Sequence, residues 1–511
     1  MLRLPFGIST VTSKITGASG GCNRVRAPEA SRHGVLYSLS HVAARRDIRV
    51  GRTLLSLAVP VVVIAAVVLG GSALWQRGDL NRFICDGDCG PSNVIAPQSL
   101  AIDTTPAVPG APTSPRASGP VDAAKLAAAV DPLLRARVLG PHVGLTAISP
   151  DDGKVLASSG SGAFVPASTT KVLTGYAALA TIEPGTRFAT RVVRSGDRLV
   201  LVGGGDPYLA TKPAAKGDGV HRGDLTTLAR RAANALRKAG VARVSLGYDA
   251  SLFTGPAASP AWRPSYVAEN VVTPVSSLWA DQGVENGVRA DDPARAAAQT
   301  FATLLEKRGI AVTGSPAATR TPAGARQVAV VRGATIGEVV ESLIRTSDNQ
   351  AAEVVLRQVA IANDRPATFD GGTQAVRAAL EAADVDVSDL RLTDGSGLSR
   401  SNRIRPLTLA QTLLAASASS RTSGLLADLP VSGFTGTLVN RFAQLPTALG
   451  TVRAKTGTLT GVHSLAGYAV DADGRPVIFA VMADRTDKDQ PFAAQAAVDK
   501  VAAAIAACRC G

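Results

Sequence analysis

Pro166-Ala167-Ser168-Thr169-Thr170-Lys171 is the stretch from which the rest of the sequence is best understood. Proline is excluded from helix interiors but suits helix starts, so Pro166 predicts a helix that begins near Ala167. This helix carries Ser168 on its first turn and Lys171 one turn later on the same face. The serine hydroxyl then lies at the positive end of the helix dipole. A lysine with a lowered pKa can accept the proton of such a hydroxyl and make it a nucleophile.

A lone serine-x-x-lysine pattern is weak, because a helix cap followed by a solvated lysine has the same letters. Two more motifs follow it in the chain, Ser347-Asp348-Asn349 and Lys455-Thr456-Gly457. Each has a structural alternative, since Ser347 can cap a helix and Lys455 can end an exposed strand. The three together, in this order, are the signature of penicillin-binding proteins and serine β-lactamases.

The spacing of the motifs separates the subfamilies, because the long stretch between Ser168 and Ser347 has room for an inserted domain. On these motifs the chain resembles the low-molecular-mass class C penicillin-binding proteins, the D-alanyl-D-alanine carboxypeptidase/endopeptidase family. The resemblance covers about residues 121–507. Its further matches are residues 204–207, 347–353, 394–400 and 436–438. We interpret the glycine-rich segment 394–400 as a structural turn rather than a catalytic loop.

The resemblance implies an α+β fold, a serine β-lactamase/penicillin-binding transpeptidase-like domain in which helices flank an antiparallel sheet and a helical subdomain adjoins it. This domain is assigned residues 121–186 and 331–507, and the inserted domain residues 187–330. Strand-like patterns occur early, at 143–148 and 154–157, and late, at 451–455, 463–470 and 477–483. The simplest sheet joins the early and late strands and has the first helix (122–139) and the last (493–507) on one face.

The resemblance also implies a catalytic mechanism. Ser168 attacks the carbonyl of the penultimate D-alanine, forms an acyl-enzyme and releases the terminal D-alanine. Lys171 is the base, and burial together with the charge of Lys455 lowers its pKa from the usual value of about 10.4. Ser347 relays a proton to the leaving nitrogen. No metal and no cofactor take part.

Substrate binding is assigned to further residues by the same resemblance. Asn349 holds the substrate amide, and Lys455, Thr456 and Thr458 bind the terminal carboxylate. The backbone N–H groups of Ser168 and Thr458 form the oxyanion hole. The expected partners are peptidoglycan stem peptides that end in D-Ala-D-Ala, and β-lactam antibiotics.

Two rival functions share some of these features. A serine β-lactamase has all three motifs, but it needs a base for the deacylating water, and no residue has the spacing found in small β-lactamases. A non-catalytic wall-binding scaffold would be marked by the loss of Ser168 or Lys171, and both are present. The balance between carboxypeptidase and endopeptidase activity, and the diamino acid of the substrate, stay open.

The formal charge of +14 is unevenly distributed, because residues 1–52 carry half of it. Only 4% of residues are aromatic, so the sequence favours no nucleic-acid partner. Residues 53–75 carry no charge and are long enough to cross a hydrocarbon core of about 30 Å. The basic segment before them predicts that residues 1–52 are cytoplasmic.

These features predict a single-pass anchor at 53–75, followed by a proline-rich extracytoplasmic linker at 76–120. The catalytic domain is then extracytoplasmic and held at the cell membrane. The alternative is a cleaved signal peptide, which gives a secreted protein. If translation starts at Val50, the basic segment before the apolar stretch is as short as in an ordinary signal peptide.

Four cysteines lie on the outer side in this topology, where disulfides persist: Cys85, Cys89, Cys508 and Cys510. Because the sheet brings the two ends of the domain together, one hypothesis is a bridge from Cys85 or Cys89 to Cys508 or Cys510 in the 508–511 tail. A local Cys508–Cys510 pair is the competing prediction. Metal binding by the four is the minority interpretation, since no histidine accompanies them.

Overall fold

Residues 119–214 and 219–511 are described by the computed structural model, and they form two five-stranded sheets and a two-stranded ribbon. The strands, in chain order, are β1 (Val143–Ile148), β2 (Val155–Ser159), β3 (Arg187–Ser195), β4 (Arg198–Val202), β5 (Arg243–Asp249), β6 (Val284–Glu285), β7 (Val288–Arg289), β8 (Ala311–Ala318), β9 (Arg326–Thr335), β10 (Val452–Leu459), β11 (Val462–Val470) and β12 (Pro476–Ala483).

The α-helices of the same residues surround these sheets. In chain order they are α1 (Ala123–Leu134), α2 (Thr170–Thr181), α3 (Leu225–Lys238), α4 (Ser265–Ala268), α5 (Pro293–Glu306), α6 (Ile336–Thr346), α7 (Asn349–Ala362), α8 (Phe369–Glu381), α9 (Pro406–Ser417), α10 (Gly424–Ala427) and α11 (Pro491–Ala507).

The first sheet joins the two ends of the described chain, as the sequence predicted. Its strand order is β10-β11-β12-β1-β2, with every neighbouring pair antiparallel. Helices α1 and α11 share one buried core with this sheet, to which Leu126 and Val130 of α1 and Val501 and Ile505 of α11 contribute. The α+β fold class is therefore confirmed, with the first and last helices on one face.

The helical subdomain packs around α2, and its core continues into the first sheet through Ile148 of β1 and Met482 of β12. Every residue of α2 from Thr170 to Leu179 is buried, because helices α6, α7, α8 and α9 contribute to the same core. A helix that is buried on all sides is fixed in position and orientation. The residues at its N-terminus are therefore held rigidly.

The inserted domain is the second five-stranded sheet, in the order β8-β5-β4-β3-β9. Helices α3 and α5 pack on it and share its core. The sheet extends past the predicted limit of residue 330, because β9 pairs with β3 as far as Thr335 opposite Arg187. Thr335 then caps α6 in a capping box with Glu338, so the strand β9 leads directly into this helix.

Two helix boundaries differ from the predictions for local reasons. Asp122 caps α1 as expected, but the helix ends at Leu134 and a separate 3-10 turn, Arg137–Leu139, follows. Helix α2 begins at Thr170 rather than near Ala167, because Ala167–Thr169 form a 3-10 turn in which Ala167 is left-handed, with φ 49°.

The predicted basic segment 1–52 and the anchor 53–75 lie outside the described residues, as does the linker 76–120 up to residue 118. Within the described part of the chain, no helix is both long and apolar enough to cross a bilayer. Cys85 and Cys89 also lie outside it.

The predicted long-range cross-link to the C-terminal tail is wrong for Cys508 and Cys510, which form a disulfide with each other. Their Cα atoms are 5.3 Å apart, a separation that a disulfide spans, so neighbours two positions apart can pair locally. The two domain ends do meet, because Asp122 N donates to Cys510 O at 2.7 Å.

Candidate active site

The turn that carries Ser168 is held from both sides. Before it, Val165 N donates to Asp484 Oδ2 at 2.9 Å, at the end of β12. Within it, the Pro166 carbonyl accepts from Ser464 Oγ of β11 at 2.6 Å and from Thr169 Oγ1 at 2.7 Å. The sheet thus fixes the segment from which the serine projects.

Gly457 allows β10 to approach this turn closely. A Cβ atom at this position would overlap Ser464 Oγ and lie 2.5 Å from the Pro166 carbonyl oxygen. Only glycine fits between the strand and the turn without displacing one of them. The glycine of the third motif therefore lets β10 pack directly against the turn that carries Ser168.

Lys171 lies beneath Ser168 with its side chain fully buried. Its Nζ is 3.0 Å from Ser168 Oγ, 2.7 Å from Asn349 Oδ1 and 2.7 Å from the Ser396 carbonyl oxygen. The serine and lysine thus face each other one turn apart, as their spacing predicted.

The pKa of Lys171 is lowered to about 8, and burial is the main cause. The carboxylates of Glu353, Asp394 and Asp348 act in the opposite direction and raise this pKa. The expectation that the charge of Lys455 lowers the pKa of Lys171 stays a prediction. Burial takes the pKa of Lys455 well below its usual range, and the positive charges of Lys171 and Arg441 lower it further.

The second motif joins the two lysines. Ser347 ends α6 in a left-handed conformation with φ 62°, and Asp348 then caps α7, whose first residue is Asn349. Lys455 Nζ donates to Ser347 Oγ at 2.8 Å, while Asn349 Oδ1 accepts from Lys171. Ser347 and Asn349 therefore contact different lysines from two neighbouring helix ends.

The third motif lies on β10, which is an edge strand of the sheet. Lys455 is fully buried and also donates to the Thr456 carbonyl at 2.9 Å. The Thr456 hydroxyl is paired with Thr437 Oγ1 at 2.9 Å, and Thr458 is exposed. An edge strand presents free backbone groups to which an extended peptide can add.

Two contributors to the site were missed by the sequence analysis. The segment 394–400 is more than a turn, because its Ser396 carbonyl contacts Lys171. Glu353 on α7 is fully buried and accepts from the backbone nitrogens of Gly395 and Ser396, at 3.0 and 2.8 Å. An acidic residue between the apolar runs Ala351-Ala352 and Val354-Val355-Leu356 is the signal that could have revealed it.

In the described ranges, no group of three or more His, Cys, Asp and Glu side chains is arranged to hold a metal ion.

Comparison with known proteins agrees with this geometry. The sequence model of the D-Ala-D-Ala carboxypeptidase 3 (S13) family matches residues 126–287 and 284–505. A carboxypeptidase of Mycobacterium tuberculosis is 36% identical over 365 residues, which cover 68% of this chain and 76% of the relative. A D-alanyl-D-alanine carboxypeptidase of an Actinomadura species is 30% identical over 72% of this chain and 81% of its own length.

Among solved structures, the crystal structure of penicillin binding protein 4 from Haemophilus influenzae matches 74% of this chain and 98% of its own, with a TM-score of 0.61. At 21% sequence identity this similarity concerns the fold. From the family match and the identity to these relatives, the chain belongs to the D-Ala-D-Ala carboxypeptidase 3 (S13) family and is a serine-type D-Ala-D-Ala carboxypeptidase.

Proposed function

We propose that Ser168 is the nucleophile and Lys171 the general base of this carboxypeptidase, and that the substrates are peptidoglycan stem peptides ending in D-Ala-D-Ala. One observation carries this proposal. Of the three partners of Lys171 Nζ, the Asn349 and Ser396 oxygens can only accept hydrogen bonds, at 2.7 Å each. A neutral amine donates to both and turns its lone pair to Ser168 Oγ, the one partner with a proton to give.

In the first step, Lys171 takes the proton of Ser168 as Oγ attacks the carbonyl carbon of the penultimate D-alanine. The bond to the terminal D-alanine then breaks, and its nitrogen receives a proton through Ser347. An ester on Ser168 remains, and water hydrolyses it to regenerate the hydroxyl. The backbone N–H groups of Ser168 and Thr458 stabilise the negative oxygen that forms at each carbonyl attack.

Lys455 would recognise the terminal carboxylate of the substrate, with Thr456 and Thr458 beside it on the strand edge. An arriving carboxylate favours the charged form of a lysine, so it would raise the lowered pKa of Lys455. Asn349 would hold the substrate amide while its oxygen keeps Lys171 in place. The substrate peptide then lies along β10 as an added strand.

β-Lactam antibiotics offer Ser168 an amide carbonyl inside a strained ring. Attack opens the ring, but the leaving nitrogen stays attached to the acyl group and does not depart. We therefore expect a long-lived adduct, whereas rapid penicillin turnover would support the rival function of a β-lactamase.

Release of D-alanine from a synthetic peptide ending in D-Ala-D-Ala tests the proposal. The wild-type chain should release D-alanine, and Ser168→Ala should release none. Activity that persists in Ser168→Ala would refute the assignment of the nucleophile. Cross-linked muropeptides would serve as substrates in the same assay, and cleavage of the cross-link would reveal any endopeptidase activity.

The cellular location is a separate proposal, which rests on the uncharged residues 53–75. They would anchor the chain in the cell membrane with the catalytic domain outside, unless the segment is cleaved and the protein secreted. Protease added to intact spheroplasts should remove the catalytic domain. Complete protection of the domain would contradict this topology.

A further inference from the structure

The inserted domain contacts the second motif through Gln282. Its Nε2 donates to Asp348 Oδ2 at 2.6 Å, and Asp348 is the middle residue of Ser347-Asp348-Asn349. The other carboxylate oxygen of Asp348 accepts from Ala351 N at 3.0 Å, which caps α7. Both oxygens are therefore held, one by its own helix and one by the inserted domain.

The turn that presents Gln282 has a backbone that non-glycine residues seldom adopt. Asp281 and Gln282 are both left-handed, with φ of 49° and 54°. Two contacts hold this shape, from Thr273 Oγ1 to the Gln282 carbonyl at 2.7 Å and from Asp281 N to the Leu209 carbonyl at 2.8 Å. Unusual backbone that is held this firmly is characteristic of functional segments.

Ser347, which precedes the contacted Asp348, also has a left-handed backbone. Asp348 lies between Ser347, which contacts Lys455, and Asn349, which contacts Lys171. A rotation of the peptide at Asp348 would move both side chains away from the lysines. The Gln282 bond opposes that rotation directly.

We infer that Gln282 is a positioning residue through which the inserted domain fixes Ser347 and Asn349 against the two lysines. This inference rests on the roles proposed above for Ser347 and Asn349. With its amide oriented to suit its neighbours, Gln350 makes a second contact of the same kind, because its oxygen accepts from Thr273 N at 2.9 Å and from Arg289 Nη1 at 3.2 Å. The inserted domain thus contacts the start of α7 at Asp348 and Gln350, the residues on either side of Asn349.

Isosteric substitution separates positioning from mere stabilisation. Gln282→Glu keeps the shape of the side chain but turns an acceptor, with a negative charge, towards the Asp348 carboxylate. Gln282→Ala only removes the bond. We expect the acylation rate at saturating β-lactam to fall about tenfold in Gln282→Ala, and to approach in Gln282→Glu the loss of about 10²-fold that a small misplacement causes.

Exchanging the amide and the carboxylate between positions 282 and 348 should restore the hydrogen bond and the acylation rate. In Gln282→Glu/Asp348→Asn, the carboxylate at 282 accepts from the amide nitrogen at 348, while the amide oxygen at 348 still caps α7, as asparagine does well. The double variant should acylate at least about tenfold faster than Gln282→Glu alone. Gln299→Glu, on the exposed face of α5, is the matched control and should acylate like the wild type.

Acylation rate and β-lactam affinity are measured for all variants, together with their melting temperatures. The inference is supported if acylation is slow in Gln282→Ala, slower in Gln282→Glu and faster again in the double variant, while all of them melt at the temperature of the control. A Gln282→Glu rate equal to that of Gln299→Glu, or no rescue in the double variant, overturns it. A wild-type chain that fails to acylate would instead refute the proposed function, so the two failures are distinguishable.

Discussion

Glu353 Oε1 lies 2.8 Å from the backbone nitrogen of Ser396, whose carbonyl oxygen lies 2.7 Å from Lys171 Nζ. The carboxylate therefore holds the peptide that contacts the proposed base. Burial raises the pKa of Glu353 itself to about 7, so its carboxylate is charged at the higher pH where Lys171 titrates, and there it raises the pKa of that amine. One residue thus affects both the position and the titration of Lys171.

Glu353→Gln should change both properties in a defined direction. The loss of the negative charge lowers the pKa of Lys171, so the rise of acylation with pH should move to lower pH. The new amide also turns a donor towards a backbone N–H, so the maximal rate should fall about tenfold. Acylation by a β-lactam, followed from about pH 5 to about pH 10, measures both effects.

Glu306→Gln, an exposed change on α5, is the control for this substitution and should leave the profile unchanged. A Glu353→Gln profile that superimposes on the wild-type profile would show that Glu353 has neither role.

The wild-type pH profile follows from the lowered pKa of about 8 at Lys171. A base must be neutral to accept a proton, so only the deprotonated fraction of Lys171 is active. The acylation rate should rise with pH and level off above about pH 8, provided that the β-lactam does not titrate in this range. A rate that is flat between about pH 6 and about pH 9 would exclude Lys171 as the base.

Removal of the Lys171 amine should slow acylation by about 10²- to 10⁴-fold, the usual contribution of general-base help. Lys171→Met keeps a buried stem of similar length, and Lys171→Arg keeps the charge but cannot give up its proton. Both variants should be slow. If Lys171→Arg acylated at the wild-type rate while folding normally, another group would have to be the base.

Gly457→Ala should impair the site through backbone geometry alone. The added methyl group meets Ser464 Oγ and the Pro166 carbonyl, so either β10 or the Ser168 turn has to move. We expect slower acylation and a lower melting temperature. Gly424→Ala is the matched control, because a methyl group there meets no atom within 4 Å. Equal behaviour of the two variants would contradict the close approach of strand and turn.

Local spacing explains what the sequence could predict. Ser168 and Lys171 are three residues apart, so any helical backbone brings them together. The early and late strands were recognisable from their apolar patterns, and one sheet was the simplest way to pair them. Asp122 was recognisable as a helix cap for the same reason, because its hydrogen bonds are local.

Contacts between distant segments explain what the sequence did not reveal. The left-handed Ala167 packs against Gly397, where a Cβ atom would overlap the Ala167 carbonyl. The role of Glu353 depends on the loop at Ser396, and that of Gln282 on Asp348, and neither pair is marked by a spacing rule. Tertiary packing, rather than local propensity, determines these conformations.

The central claim is that Ser168 is acylated. The most direct measurement is the mass of the chain from Val121 after reaction with penicillin, followed by mapping of the modified peptide. The wild-type chain should gain the mass of one penicillin on the peptide that contains Ser168, and Ser168→Ala should gain none. An adduct on another residue, or an unchanged adduct in Ser168→Ala, would contradict the account.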